Sequence, residues 1–297
     1  MSENELLFSL FFVSCRSKNK VEQPMIKDFD LLQRANNDYT TIDLEHAEEL
    51  AYRELIDSIR YIPLGDECGV MGNIANIITY KGRFYIQEEQ FDRVFIYDDT
   101  GRCLKKIDNK GRGPGEYLRI ESIDINTEKE ELMLVDGMSD KLFFYDLDGN
   151  FKSIHSIRYF QTENTLCLRD SVFLHISAPS QNFGNEGLYG YALVLSKGNE
   201  NFLKGYRYLP LQVGYKGGGQ IFKGYERSCY HPIYSDTIYQ ILSDTTYGPI
   251  FYFKIKNSSW EKYHNSDRFV DIDGSEEGVF TLLYENQDFF LGYIADK

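Results

Sequence analysis

The sequence is poor in the short motifs by which catalytic and metal chemistry announce themselves. Its five cysteines, Cys15, Cys68, Cys103, Cys167 and Cys229, include no C-x-x-C pair, so neither a zinc knuckle nor a thioredoxin-type redox site is supported. A disulfide among them is open but unassignable. The five histidines, His46, His155, His175, His231 and His264, form no H-E-x-x-H or other local metal pair. There is no G-x-S-x-G elbow for a hydrolase nucleophile. Basic residues are outnumbered, 32 Lys and Arg against 46 Asp and Glu, giving a formal charge of -14. A phosphate backbone would repel such a chain, and no dense Lys/Arg cluster overrides this locally, so nucleic-acid partners are disfavoured.

What the sequence holds is apolar and aromatic. Hydrophobic residues make up 42% and charged residues 26%, which fits a folded protein with a sizeable core. Aromatics reach 15%, mostly Tyr (23) and Phe (21), types that suit a pleated, half-buried surface better than a helix.

Leu6 to Val13 is an apolar run too short to span a bilayer but long enough for a signal-peptide core. It ends at Phe12-Val13-Ser14-Cys15, which resembles a bacterial lipoprotein signal in which the cysteine is acylated. Glu3 and Glu5 stand where basic residues are expected, and Arg16, Lys18 and Lys20 follow on the exported side. The expectation is a lipoprotein-like segment over 1–20, a tether and short helix over 21–57, and a β-domain over 58–297. Leu44, Ala47, Ala51 and Leu55 form a helical stripe between Asp43 and Ile59, with Thr41 or Asp43 as cap. Ser58 to Leu64 reads as a strand whose Pro63 fits an edge or strand end.

A self-match dominates the remainder. Phe84-Tyr85-Ile86-Gln87 aligns with Leu132-Met133-Leu134-Val135, and Asp92-Arg93-Val94-Phe95-Ile96-Tyr97-Asp98 with Asp140-Lys141-Leu142-Phe143-Phe144-Tyr145-Asp146, each 48 residues apart. Gly101 and Gly149 keep the same spacing within Asp-x-x-Gly turns. Such a period marks one structural unit repeated. Four short strands with their turns need roughly 30–45 residues, close to one propeller blade. A weaker third copy ends near Leu193 to Gly198, and a fourth is marked by Asp236 to Ile241. Glu277 to Ala295 reads as the opening hairpin of a fifth. The fold class expected is therefore all-β, a β-propeller of four-stranded blades.

Three phrases carry a family resemblance: Tyr61-Ile62-Pro63-Leu64, Lys110-Gly111-Arg112-Gly113-Pro114-Gly115-Glu116-Tyr117, and Ser235-Asp236-Thr237-Ile238-Tyr239. They resemble the six-bladed NHL/TolB-like β-propellers exported by Bacteroides-type bacteria, over Ile59 to the C-terminus. The resemblance implies a lipoprotein or secretory signal and no general reaction. Against six blades the chain supplies about five, a C-terminally incomplete ring in which the strand at Ile59 to Leu64 would pair with the last blade.

The glycine-rich stretch Gly111 to Gly115 lacks the Gly-Lys-Ser/Thr ending of a P-loop and reads as a connection between blades. Arg112, Glu116 and Tyr117 are the candidate ligand-facing residues of that loop. Asp146-Leu147-Asp148-Gly149-Asn150 and Asp271-Ile272-Asp273-Gly274-Ser275 resemble the start of a calcium loop, but position twelve is Ile157 and Leu282 rather than Glu. Hairpin turns explain both. The sequence thus names Cys15 as the lipidation site, no catalytic residue, no metal ligand and no cofactor. The function expected is a non-catalytic, lipid-anchored module of the cell envelope, binding or scaffolding a protein or glycan. Alternatives are a metal-dependent lactonase or hydrolase and a truncated, non-functional copy.

Overall fold

The computed structural model describes residues 30–31, 33–43, 46, 58–157, 162–169, 171–177, 191–197, 201–207, 219–224, 227–232, 235–243, 245–254, 279–285 and 290–295. These residues carry three short N-terminal strands, β1 (Asp30–Leu31), β2 (Gln33–Arg34) and β3 (Thr40–Asp43). Four antiparallel meanders follow. The first is β4 (Ile74–Tyr80), β5 (Arg83–Glu88), β6 (Arg93–Asp98) and β7 (Cys103–Ile107). The second is β8 (Ser122–Asn126), β9 (Glu131–Asp136), β10 (Lys141–Asp146) and β11 (Phe151–Ser156). The third is β12 (Asn164–Arg169), β13 (Val172–Ile176), β14 (Tyr191–Lys197) and β15 (Asn201–Arg207), and the fourth β16 (Gln220–Gly224), β17 (Arg227–His231), β18 (Thr237–Ile241) and β19 (Thr246–Lys254). A hairpin of β20 (Val279–Glu285) and β21 (Phe290–Ala295) comes last.

In the first two meanders the middle strands are apolar on both faces because both faces are covered. Tyr85, Val94 and Ile96 of the first sheet share a core with Leu134, Phe143 and Tyr145 of the second. The opposite face of the second sheet, Met133, Val135, Leu142 and Phe144, packs on Cys167 and Phe173 of the third. Leu166, Leu174 and Leu195 of the third meet Ile221, Tyr230 and Tyr247 of the fourth. Each such side chain contributes roughly 1.5–3 kcal/mol on full burial. The sheets therefore stack face to face in chain order, and their first strands, β4, β8, β12 and β16, adjoin in the same order. The architecture is all-β and propeller-like, with these four strands innermost.

Turn chemistry repeats with the strands. Asp98 accepts backbone N–H bonds from Thr100 and Arg102, both at 3.0 Å. Asp146 does the same for Asp148 and Asn150. Gly101 and Gly149 close these turns at φ 88° and 80°, where a side chain is disfavoured. The Asp146 carboxylate is thus spent on its own turn, as a hairpin requires; the second calcium-like phrase, at 271–275, lies outside the described residues.

Two sequence expectations meet the structure differently. Residues 58–66 are not a strand. Pro63 has no N–H to give a ladder, and the segment instead lies along the β6–β7 turn, with Gly65 N–H donating to Gly101 O at 2.7 Å and Arg60 donating to Asp99 O at 2.8 Å. A disulfide between Cys68 and Cys103, Cα atoms 6.0 Å apart, pins the stretch that follows. Pairing with the last strands of sheets is made by earlier residues: β1 runs parallel to β15, and β2 and β3 run parallel to β19. The short helix expected between Asp43 and Ile59 falls almost wholly outside the described residues, as does the 1–20 segment with Cys15.

Candidate functional site

Where the four inner strands converge they leave a cleft of about 870 Å³, lined by residues of β4, β8, β12 and β16.

One polar contact ties three of the strands together. Asp124 on β8 is buried, and its Oδ2 accepts from the Cys167 N–H of β12 at 2.7 Å and from Lys223 Nζ of β16 at 2.8 Å. Lys223 Nζ also donates to Ile125 O at 2.6 Å. Burial raises the Asp124 carboxyl above the ordinary range, against the opposing ammonium and amide. An ion pair so placed fixes the spacing of the inner strands.

Towards the start of the same strands the cleft is acidic and incompletely bonded. Glu121 and Glu163 stand just before β8 and β12 and line the cleft. Burial raises the Glu121 carboxyl, opposed by Arg119 at 3.3 Å. Ser122, 6% exposed, has its Oγ buried without a hydrogen-bond partner, and Asn164 Oδ1 is in the same condition. Gln87 reaches in from β5, its Nε2 donating to Ile120 O at 3.0 Å. Buried polar atoms are nearly always bonded; of the seven buried side-chain atoms left unbonded among the described residues, these two belong to residues that line the cleft.

Residues 39–297 match the family described as a domain of unknown function, DUF4934. The chain belongs to that family. Among curated proteins, none matches it. A Bacteroides fragilis protein described as a putative exported protein shares the fold: 19% identity, TM-score 0.65, covering 86% of this DUF4934 chain and 80% of its own. A DUF4221 member from Bacteroides vulgatus aligns at 9% identity and TM-score 0.42 over 72% of this chain and 68% of that one. A catalytically inactive virginiamycin B lyase from Staphylococcus aureus aligns at 9% identity and TM-score 0.44 over 74% and 62%.

Within this DUF4934 chain the loop residues singled out from the sequence are not gathered at the cleft. Tyr117 is fully buried between the first and second sheets. Its hydroxyl donates to Asp92 O at 2.8 Å and accepts from Asn109 N–H at 3.1 Å, and burial pushes it well above the usual tyrosine range. Glu116 is exposed and accepts from Gly113 N–H at 2.7 Å, closing its own turn. Arg112 is exposed on the same loop. Among the described residues, no group of three or more His, Cys, Asp and Glu is placed to hold a metal ion. The buried histidines have structural surroundings. His175 lies between Thr165 Oγ1 at 2.9 Å and Ser196 Oγ at 2.7 Å, and burial takes it down to about 3.

The sequence reading missed the cleft residues because their alignment is between sheets. Ser122 and Asn164 each open the first strand of a unit. Their spacing departs from the 48-residue step, so the repeat in the sequence does not align them.

Proposed function

We propose that this DUF4934 chain is a non-catalytic binding module of the cell envelope, a propeller of the six-bladed NHL/TolB-like kind held to the membrane by acylated Cys15, which takes a glycan or a protein segment into the cleft between its inner strands. The observation that carries the reading is the pair of buried, unbonded polar atoms, Ser122 Oγ and Asn164 Oδ1, on one concave surface. Free energy lost by leaving them bare is recovered when a ligand bonds them. The volume of the cleft falls in the range of small-ligand sites, about 300–1,000 Å³.

Two features support an envelope location. The Cys68–Cys103 disulfide suits an oxidising compartment, and the Bacteroides fragilis protein of the same fold is described as exported. The test is calorimetric titration of the full chain with two pools, oligosaccharides and peptides released from envelope preparations. Ala75 lines the cleft, so Ala75→Trp should fill it and weaken binding at least tenfold. Binding that ignores Ala75→Trp but is lost in Arg112→Ala or Glu116→Ala would move the site to the 108–117 loop and refute the cleft.

A further inference from the structure

The cleft carries a ring that becomes visible when the inner strands are aligned through their ladders. On β4, Asn76 pairs with Gln87; on β8, Ser122 pairs with Val135; on β12, Asn164 pairs with Ile176; on β16, Gln220 pairs with His231. The partners are themselves equivalent. Gln87, Val135 and Ile176 are followed on the next strand by Val94, Leu142 and Leu193, and His231 stands three 48-residue periods after Gln87. Asn76, Ser122, Asn164 and Gln220 therefore occupy one rung of four successive strands, and all four line the cleft. Every member is polar and uncharged, on strands whose other cleft positions include Ile77, Ile123, Leu166 and Ile221.

From this rung we infer that the ligand is a neutral saccharide, read through its hydroxyl groups by Asn76, Ser122, Asn164 and Gln220. The inference rests on the cleft being the binding site and adds the class of ligand. Amide side chains each offer two N–H donors and an acceptor oxygen, and a serine hydroxyl does both. A hydroxyl-bearing ring matches that mixture, since each of its groups also donates and accepts. An ammonium ion only donates, so the amide N–H groups of three rung residues would be left facing it. A carboxylate or phosphate only accepts, so the acceptor oxygens of the rung would be left facing it; Lys223, which also lines the cleft, is already held by Asp124, and Glu121 lines the same cleft. The apolar faces of a sugar ring have their counterparts in Tyr80 and Phe222, which also line the cleft.

The free protein adds an internal signature. Ser122 Oγ has no partner, so its removal costs no protein hydrogen bond, whereas a saccharide hydroxyl bonded to it would be missed. Stability and binding should thus separate at this residue.

The experiment uses the full chain on an array of neutral and uronate-containing glycans, with tri-lysine as a cationic probe in calorimetry. Retention of neutral glycans is expected, with uronates and tri-lysine unbound. Ser122→Ala and Asn164→Leu should each weaken binding by about tenfold or more, the loss of one or two ligand hydrogen bonds, and the urea midpoint of Ser122→Ala should match wild type. If no neutral glycan is retained, or the Ser122→Ala/Asn164→Leu double variant binds as wild type, the inference is wrong. Tri-lysine or peptide binding that Ala75→Trp abolishes would sink the saccharide and leave the cleft standing. Saccharide binding untouched by Ala75→Trp would remove both.

Discussion

Acidification should destabilise this protein through a histidine that does not line the cleft. His175 is fully buried in the third sheet, bonded on both ring nitrogens and held at about 3 by burial, against roughly 6.5 in an unfolded chain. Between those values the unfolded state takes up a proton that the folded state refuses, so stability is full above about pH 6.5 and falls as pH drops. Going from pH 7 to pH 5, the linkage relation gives about 2 kcal/mol lost from His175 alone. His231, Nε2 2.7 Å from Ser235 O, and His155 are also lowered by burial and add with the same sign. Glu121, Asp124 and Asp140 are raised by burial and act the other way as their own range is approached. The comparison that isolates one group is His175→Gln against wild type, by urea unfolding at pH 7 and pH 5. The variant starts less stable, having given up a hydrogen bond worth about 1 kcal/mol, but between the two pH values it should lose about 2 kcal/mol less than wild type. At a urea slope of about 3 kcal/mol/M this is a midpoint difference of about 0.6 M. Parallel losses in the two proteins would refute the reasoning, because the buried neutral imidazole would then not be what titrates.

Other perturbations have equally definite outcomes. Replacing Cys68 and Cys103 together by Ser opens a loop with a sequence separation of 35, and chain-entropy reasoning puts the loss at about 3–4 kcal/mol; urea midpoints with and without reductant check it, the variant being insensitive to reductant. Lys223→Met leaves Asp124 with the backbone amides of Cys167 and Ile125 and no opposing charge, and should cost about 2 kcal/mol, Lys223 being partly exposed. Adding Asp124→Asn should recover part of that loss in a double-mutant cycle. Gly101→Ala forces a side chain into φ 88° with its Cβ 2.1 Å from Pro63 O, which should lower stability by about 2 kcal/mol or more and loosen the 58–66 segment, measurable by hydrogen exchange. The thiol of Cys167, pushed up to about 12 by burial, and the buried Cys229 should escape alkylation in the folded protein and react once it is unfolded, as read by peptide mapping.

The four-stranded units were legible where both faces of a sheet are covered. Leu132-Met133-Leu134-Val135 and Leu142-Phe143-Phe144-Tyr145 are unbroken apolar runs because sheets lie on either side, and their 48-residue echo of the first unit places β5, β6 and β7 against β9, β10 and β11 without slippage. The third unit was weaker for a physical reason: β13 begins at Val172, earlier than a 48-residue step from β9 would put it, and a longer connection precedes β14 at Tyr191. The N-terminal strands escaped notice because Gln33, Arg34 and Thr40 lie exposed on outer edges, where pairing leaves no apolar pattern. The disulfide joins an irregular segment to a strand, a contact only the fold creates. Tyr117 drew attention as part of a glycine-rich phrase, yet the residue serves as a buried latch between sheets. The rung of the cleft was hidden because unit lengths differ among the inner strands and the ladder partners, rather than sequence spacing, keep them level.

The most direct measurement is hydrogen–deuterium exchange of the full chain with and without the best-binding glycan from the array. Slower exchange is expected at the openings of β8, β12 and β16, around Ser122, Asn164 and Gln220, with the 108–117 loop unchanged. Protection confined to that loop, or to no inner strand at all, would contradict the assignment of the cleft as the binding site.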